Sequence, residues 1–304
     1  MNSSRILAAT AIAPLIWGTS YLVTSELLPP DRPLLAATLR ALPAGIVLLA
    51  ITRVLPRGSW WWKASVLGVL NIGAFFAFLF ISAYRLPGGV SATLGAIHPL
   101  LVALLTVVVL HQAIARRTVV SAVVGFAGVA MLVLTPDASL DLVGVLAGLA
   151  GGLATAFGVI LTKRWGRPVS LLAFTGWQLL AGGLALLIPA LIFEGLPPAL
   201  TATNLLGYAW LAIPATVLAY VLWFRGILAL PPARVTLLGF LAPLVATMLG
   251  WLVLEQTLAP LQWVGAAAIL ASVLIGTRAS RDDGNGSSDD VVAGLEPKLV
   301  PQPA

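Results

Sequence analysis

Residues 86–112, LPGGVSATLGAIHPLLVALLTVVVLHQ, and residues 230–256, LPPARVTLLGFLAPLVATMLGWLVLEQ, align without a gap. Leu86-Pro87 meets Leu230-Pro231, Gly95 meets Gly239, Pro99 meets Pro243 and Gln112 meets Gln256. Upstream, LLAATLRALPAG (34–45) is similar to LLAFTGWQLLAG (171–182), with Thr38 on Thr175 and Gly45 on Gly182. The chain repeats itself, and the unit holds five apolar runs. An odd number of crossings turns the second copy upside down in a bilayer, which is how many transporters are built, with substrate held between the copies near the midplane. A purely structural bundle that duplicated would show the same similarity.

Composition fixes the solvent. Hydrophobic residues make up 60% of the 304 and charged residues only 9%, against roughly 25% charged in soluble domains; the mean hydropathy is +1.02. The net charge of +6 comes from basic residues scattered singly between apolar runs, which reads as membrane topology and not as a nucleic-acid surface. No cysteine is present, so disulfides, thiolate catalysis and cysteine metal sites are excluded, and the two histidines, thirteen residues apart, make a poor metal site.

A helix needs about 20 apolar residues to cross the hydrocarbon layer. Ten runs of this kind fall at 6–25, 34–52, 64–83, 90–110, 118–135, 142–162, 169–193, 205–224, 233–254 and 259–277. Turn-forming stretches such as ELLPPDRP, TPDASLD, EGLPPALTATN and ALPPAR separate them. The first run ends in Glu26 and two prolines, without a small-residue cleavage motif, and is expected to be a membrane span. The repeats are expected at 1–137 and 138–277, followed by a disordered cytoplasmic tail at 278–304.

With the N-terminus inside, Arg5, Arg53, Arg57, Lys63, Arg116, Arg117, Lys163, Arg164, Arg167, Arg225, Arg234, Arg278, Arg281 and Lys298 all lie on the inner side. The outer loops hold only Arg32 and Arg85. This bias places both termini in the cytoplasm, as expected for a multi-pass protein of a bacterial inner membrane.

The segments PLIWGTSYL, LRALPAG, LPGGVSATLGAIHPLLVALL and WLVLEQTLAPLQWVGAAAILASVLIG resemble the EamA-type branch of the drug/metabolite transporter superfamily, over nearly all of residues 6–277. Within it the chain is most similar to the bacterial aromatic amino-acid exporters. The resemblance implies an all-α membrane protein of ten helices in two inverted repeats around a central cavity, exporting small metabolites without ATP. One departure stands out: family members usually carry Glu where this chain has His111, whereas the second copy keeps Glu255.

No catalytic signature is found: G-x-S-x-G, H-E-x-x-H and the P-loop pattern are all missing, so the chain is not expected to be an enzyme. Every carboxylate outside the tail (Glu26, Asp31, Asp137, Asp141, Glu194 and Glu255) falls at a span end or in a loop. That disfavours a carboxylate proton relay and leaves facilitated export, with His98 as the deep protonatable alternative.

Candidate substrate-binding residues are the polar and aromatic side chains inside spans: Trp17, Arg40, Asn71, Phe75, His98, Trp177, Gln178 and Tyr220. Arg40 either snorkels toward Glu26 or Asp31, or attracts a substrate carboxylate. Asn71 and Phe75 are four apart and share a face of a regular helix. His98 lacks a polar counterpart, standing opposite Ala242; it either bonds a neighbouring helix or lines the cavity. Pro99 and Pro243 are expected to be hinges. Trp60, Trp61, Trp62 and Trp165 read as interfacial anchors, and Gly144, Gly148, Gly152 and Ala156 as a packing ridge. The expected ligand is an amino acid or similar metabolite, taken without a cofactor by a monomer in the bilayer. A nucleotide-sugar or sugar-phosphate carrier and a non-transporting scaffold are the alternatives.

Overall fold

The computed structural model describes residues 3–30, 32–85, 94–133, 141–195, 199–253, 255 and 258–277. The tail from 278 onward, Asp31, Asp137 and the expected boundary between the repeats lie outside them. The described residues form helices and no strands. In order they are α1 (Ser3–Leu27), α2 (Pro33–Thr52), α3 (Trp60–Gly68, a π-helical turn Val69–Gly73, then Ala74–Arg85), α4 (His98–Leu110) and α5 (Arg116–Val133). The second half holds α6 (Leu142–Trp165), α7 (Leu171–Phe193), α8 (Ala202–Ala212, a π-helical turn Ile213–Leu218, then Ala219–Ala229), α9 (Pro232–Val235, a 3-10 stretch Thr236–Phe240, then Leu241–Val253) and α10 (Pro260–Thr277). Among them, eight are long and apolar enough to cross a membrane, and His98–Leu110 is a shorter apolar helix.

The irregularities repeat with the sequence. The register that sets Pro99 on Pro243 also sets the π turn at Val69–Gly73 on the one at Ile213–Leu218. It sets the non-helical turn at Ala96–Ile97 on Phe240 and Leu241, where the Thr236–Phe240 stretch gives way to regular helix. Each break lies just before its proline, because the proline ring lacks an N–H and crowds the carbonyl of Gly95 or Gly239 four residues back. His111 and Glu255, also equivalent, are both left-handed, at φ 52° and 54°. The residue that departs from the family pattern therefore occupies the same backbone conformation as its acidic partner.

Contacts define the two ends of the bundle. At the basic end, Trp177 on α7 donates its Nε1–H to Val54 O at 2.6 Å, Lys163 reaches Leu228 O, and the Arg234 Nε donates to Thr277 O. At the other, Asn204 donates to Leu27 O, Gln262 to Leu132 O, and Arg85 meets Asp141. Lys163 and Arg234 satisfy carbonyls at helix C-termini, so basic residues at this end also cap helices whose negative ends lie there.

Helix pairs α2/α7 and α5/α10 pack most extensively, with α3 and α4 against α6, and α8 and α9 against α1. Lipid removes the hydrophobic drive between helices, so close backbone approach must hold such pairs. Between α2 and α7 this is achieved by small residues: a side chain on Gly183 would lie 2.7 Å from Leu42 Cα, and one on Gly45 would strike the Leu180 backbone. Large apolar residues such as Ile188, Phe193, Leu206 and Leu274 face outward from the bundle.

Helix α2 starts without a capping side chain of its own. Glu194, at the C-terminus of α7, supplies one: its carboxylate oxygens accept from Leu34 N at 2.7 Å and Leu35 N at 2.8 Å. A carboxylate on two unpaired amides at a helix N-terminus is favoured by both hydrogen bonding and the helix dipole.

Candidate functional site

The interior holds a cation among aromatic rings. Arg40 on α2 is 9% exposed, and its guanidinium carbon lies 4.6 Å from the centroid of the Phe76 ring. The Nε donates to Thr216 Oγ1 at 2.9 Å and an Nη donates to Ala215 O at 3.1 Å. Both acceptors belong to the π turn of α8. Trp17 on α1 donates its indole N–H to the same carbonyl at 3.0 Å. The buried Thr216 hydroxyl and a carbonyl on the irregular turn receive Arg40 N–H groups inside the bundle; of the two expected acidic partners, Asp31 lies outside the described residues.

Trp17 packs at 5.2 Å from both Tyr220 and Trp223, and Tyr220 stands edge-on to Phe76 at 6.5 Å. Rings then continue toward the basic end. Tyr220 meets Phe224 at 5.7 Å, Phe224 meets Phe174 at 6.0 Å, and Phe174 meets Trp60 at 6.1 Å. Trp60 ends this ladder and also lies 5.2 Å from the Lys63 ammonium, whereas Trp61 and Trp62 are more than half exposed. Trp62 stands edge-on to Trp165 beside the ammonium of Lys63, as interfacial anchors do.

A second buried polar group also joins the two repeats. Asn71, in the π turn of α3, donates to Gln178 Oε1 on α7 at 2.8 Å and to Thr162 Oγ1 on α6 at 3.3 Å. All three residues are buried. Gly158 makes room for the amide: a Cβ there would collide with Asn71 Oδ1. Gln178 Nε2 has no hydrogen-bond partner within the described protein. Each π turn is therefore tied to the α2-type helix of the opposite repeat: α8 by Arg40, and α3 by Gln178.

Of the residues singled out from sequence, Trp17, Arg40 and Tyr220 come together, and Asn71 joins Gln178. The ring of Phe75 lies 5.5 Å from that of its neighbour Phe76, on the stretch of α3 that the π turn rotates relative to a regular helix. Trp177 sits at the basic end against Trp60, not beside Arg40. His98 begins α4 directly after the Ala96–Ile97 turn, half-buried, with Nε2 lacking a partner among the described residues. Thr216, Phe76, Trp223, Phe174 and Phe224 were missed. A threonine or phenylalanine in an apolar span carries no distinguishing pattern until a neighbour selects it.

An all-helical bundle of two repeats, with a buried cation and aromatic rings between helices of both, defines a multi-pass membrane transporter, not an enzyme. The EamA-like transporter family profile matches twice, at residues 4–134 and 142–278, and the chain belongs to that family. Protein PecM of Dickeya dadantii is 48% identical over 265 residues, covering 86% of this chain and 89% of that protein. The uncharacterized inner membrane transporter YedA of Escherichia coli K12 is 27% identical over 270 residues, 86% of this chain and 87% of that one. A solved structure with 20% identity superposes with a TM-score of 0.78, over 90% of this chain and 96% of that one, and supports the fold.

Proposed function

We propose that the chain exports small, partly apolar zwitterions, most simply aromatic or apolar amino acids, across a bacterial inner membrane, by alternating access and without ATP. Ten crossings and cytoplasmic termini complete this reading. The observation that carries it is the Arg40 guanidinium held over Phe76, with Trp17 and Tyr220 alongside. A buried guanidinium recognises a carboxylate, and rings nearby accept an apolar or aromatic side chain. The paired breaks before Pro99 and Pro243 support bending at equivalent points of both repeats. His98, Asn71, Phe75 and Gln178 are further contact residues, and Trp177 braces the inner end.

Proteoliposome counterflow with a panel of labelled amino acids tests the proposal. Exchange of phenylalanine, tyrosine or leucine that is lost in Arg40→Gln supports it. Exchange of sugar phosphates only, or of nothing, overturns it in favour of a phosphate carrier or a scaffold.

A further inference from the structure

A cavity of about 430 Å³ opens at the basic end, lined by Arg167, Leu171, Arg225, Leu228 and Ala229. Leu171 is three residues before Phe174 on α7, and Leu228 is four after Phe224 on α8. The cavity therefore lies one helical turn below the Phe174–Phe224 pair. That pair is packed edge to face at 6.0 Å, with Phe174 at 0% and Phe224 at 1% exposure. Beyond it the ladder runs through Tyr220 to Trp17 and the Phe76–Arg40 group. A third cation borders the cavity: Lys163 Nζ donates to the carbonyls of Leu228 at 2.8 Å and Leu230 at 3.1 Å. The described carboxylates, Glu26, Asp141, Glu194 and Glu255, all stand at the opposite end.

We propose that this arginine-lined cavity is the cytoplasmic mouth of the transport path, that it gathers substrates carrying a carboxylate, and that the Phe174–Phe224 pair is the closed gate above it. The proposal rests on the transport reading and names what that reading lacks: where substrate is taken up, and which of its groups is met first. Cations in a concave site of mixed polarity raise the local concentration of anions, and an apolar floor accepts the rest of an amphipathic molecule. The same chemistry would suit the phosphate of an acidic lipid, since basic pockets between helices on this side of a membrane hold such headgroups.

The chain's lack of cysteine gives a clean background for accessibility labelling. Ala229→Cys and Tyr220→Cys are made separately, and impermeant methanethiosulfonates bearing a sulfonate or a trimethylammonium are added to inside-out vesicles. At Ala229→Cys the sulfonate reagent should react about tenfold faster than the cationic one, relative to free cysteine, and Arg167→Gln/Arg225→Gln should remove the preference. A preference that ignores the arginines overturns the anion-gathering mouth. Tyr220→Cys should be protected at least about tenfold relative to Ala229→Cys, and Phe224→Ala should release it; if that variant misfolds, Phe174→Leu/Phe224→Leu serves instead. Equal labelling with the gate intact overturns the gate. Repeating the Ala229→Cys measurement in phosphatidylcholine with and without phosphatidylglycerol separates the sources: protection by the acidic lipid assigns the cavity to a headgroup and overturns the proposal. No arm needs a transported substrate, so failure here and failure of amino-acid counterflow are separate results.

Discussion

The Nε of Arg40 lies 2.9 Å from Thr216 Oγ1, joining the second helix of one repeat to the π turn of the eighth helix in the other. The hydroxyl fixes the guanidinium plane beside Phe76. Thr216→Val keeps the shape and removes the hydroxyl that accepts from this buried, charged donor. A loss of roughly 1–3 kcal/mol is expected from such a group. Thermal unfolding in detergent should show it, together with a fall in counterflow. Arg40→Lys should not restore exchange, because an ammonium cannot reproduce the planar fork.

Asn71 and Gln178 are a coupled pair. Asn71→Leu leaves the Gln178 carbonyl without its donor and Gln178→Leu leaves Asn71 only the longer bond to Thr162, whereas Asn71→Leu/Gln178→Leu removes both amides. The double variant should be less destabilised than the sum of the singles, with a coupling of about 0.6–2 kcal/mol, as for hydrogen bonds between membrane helices. A double-mutant cycle on unfolding in detergent measures it, and additive losses would refute the pairing.

Gly158→Ala should lower the melting temperature, since its Cβ would occupy the space of the Asn71 amide. Shortening the neighbour in Gly158→Ala/Asn71→Ser should recover part of the loss. An Ala variant as stable as the parent would show that α6 can shift away.

At His111 and Glu255 the backbone is left-handed, with φ near 52° and 54°, a conformation that costs a side chain about 1 kcal/mol and glycine little. His111→Gly and Glu255→Gly should each leave stability unchanged or raise it by up to about 1 kcal/mol, the gain being reduced by glycine's freedom in the unfolded chain. Equal effects in the two copies would reflect their equivalence, and unfolding midpoints read both.

Glu194→Gln should cost about 1 kcal/mol. The charge assists two amide bonds at the start of α2, and the neutral amide keeps at most one good acceptor. Glu194→Ala should cost more. Melting temperatures of both variants, compared at low and high salt, separate the charge contribution from the hydrogen bonds.

Pro99→Ala and Pro243→Ala restore backbone donors just beyond the two breaks. Both should alter counterflow rate more than expression, and unchanged flux in both would count against hinging at these turns.

Much of the architecture was written in local pattern. Apolar runs of membrane length, basic residues gathered at one set of helix ends and the match of 86–112 to 230–256 together determine a helical, twice-repeated membrane protein, because lipid demands satisfied backbones and punishes misplaced charge. The prolines even mark where two helices break. Side-chain partnership was not legible. Arg40 meets Thr216 across 176 residues, and Asn71 meets Gln178 across 107. Both meetings depend on π turns that Val69–Gly73 and Ile213–Leu218 do not announce. Such a turn shifts every later residue to a new face, which regular helical spacing does not foresee. The sequence alone determined that a cation and several rings lie within the bundle; tertiary structure decided which of them touch, because one extra residue per turn is settled by packing and not by local preference.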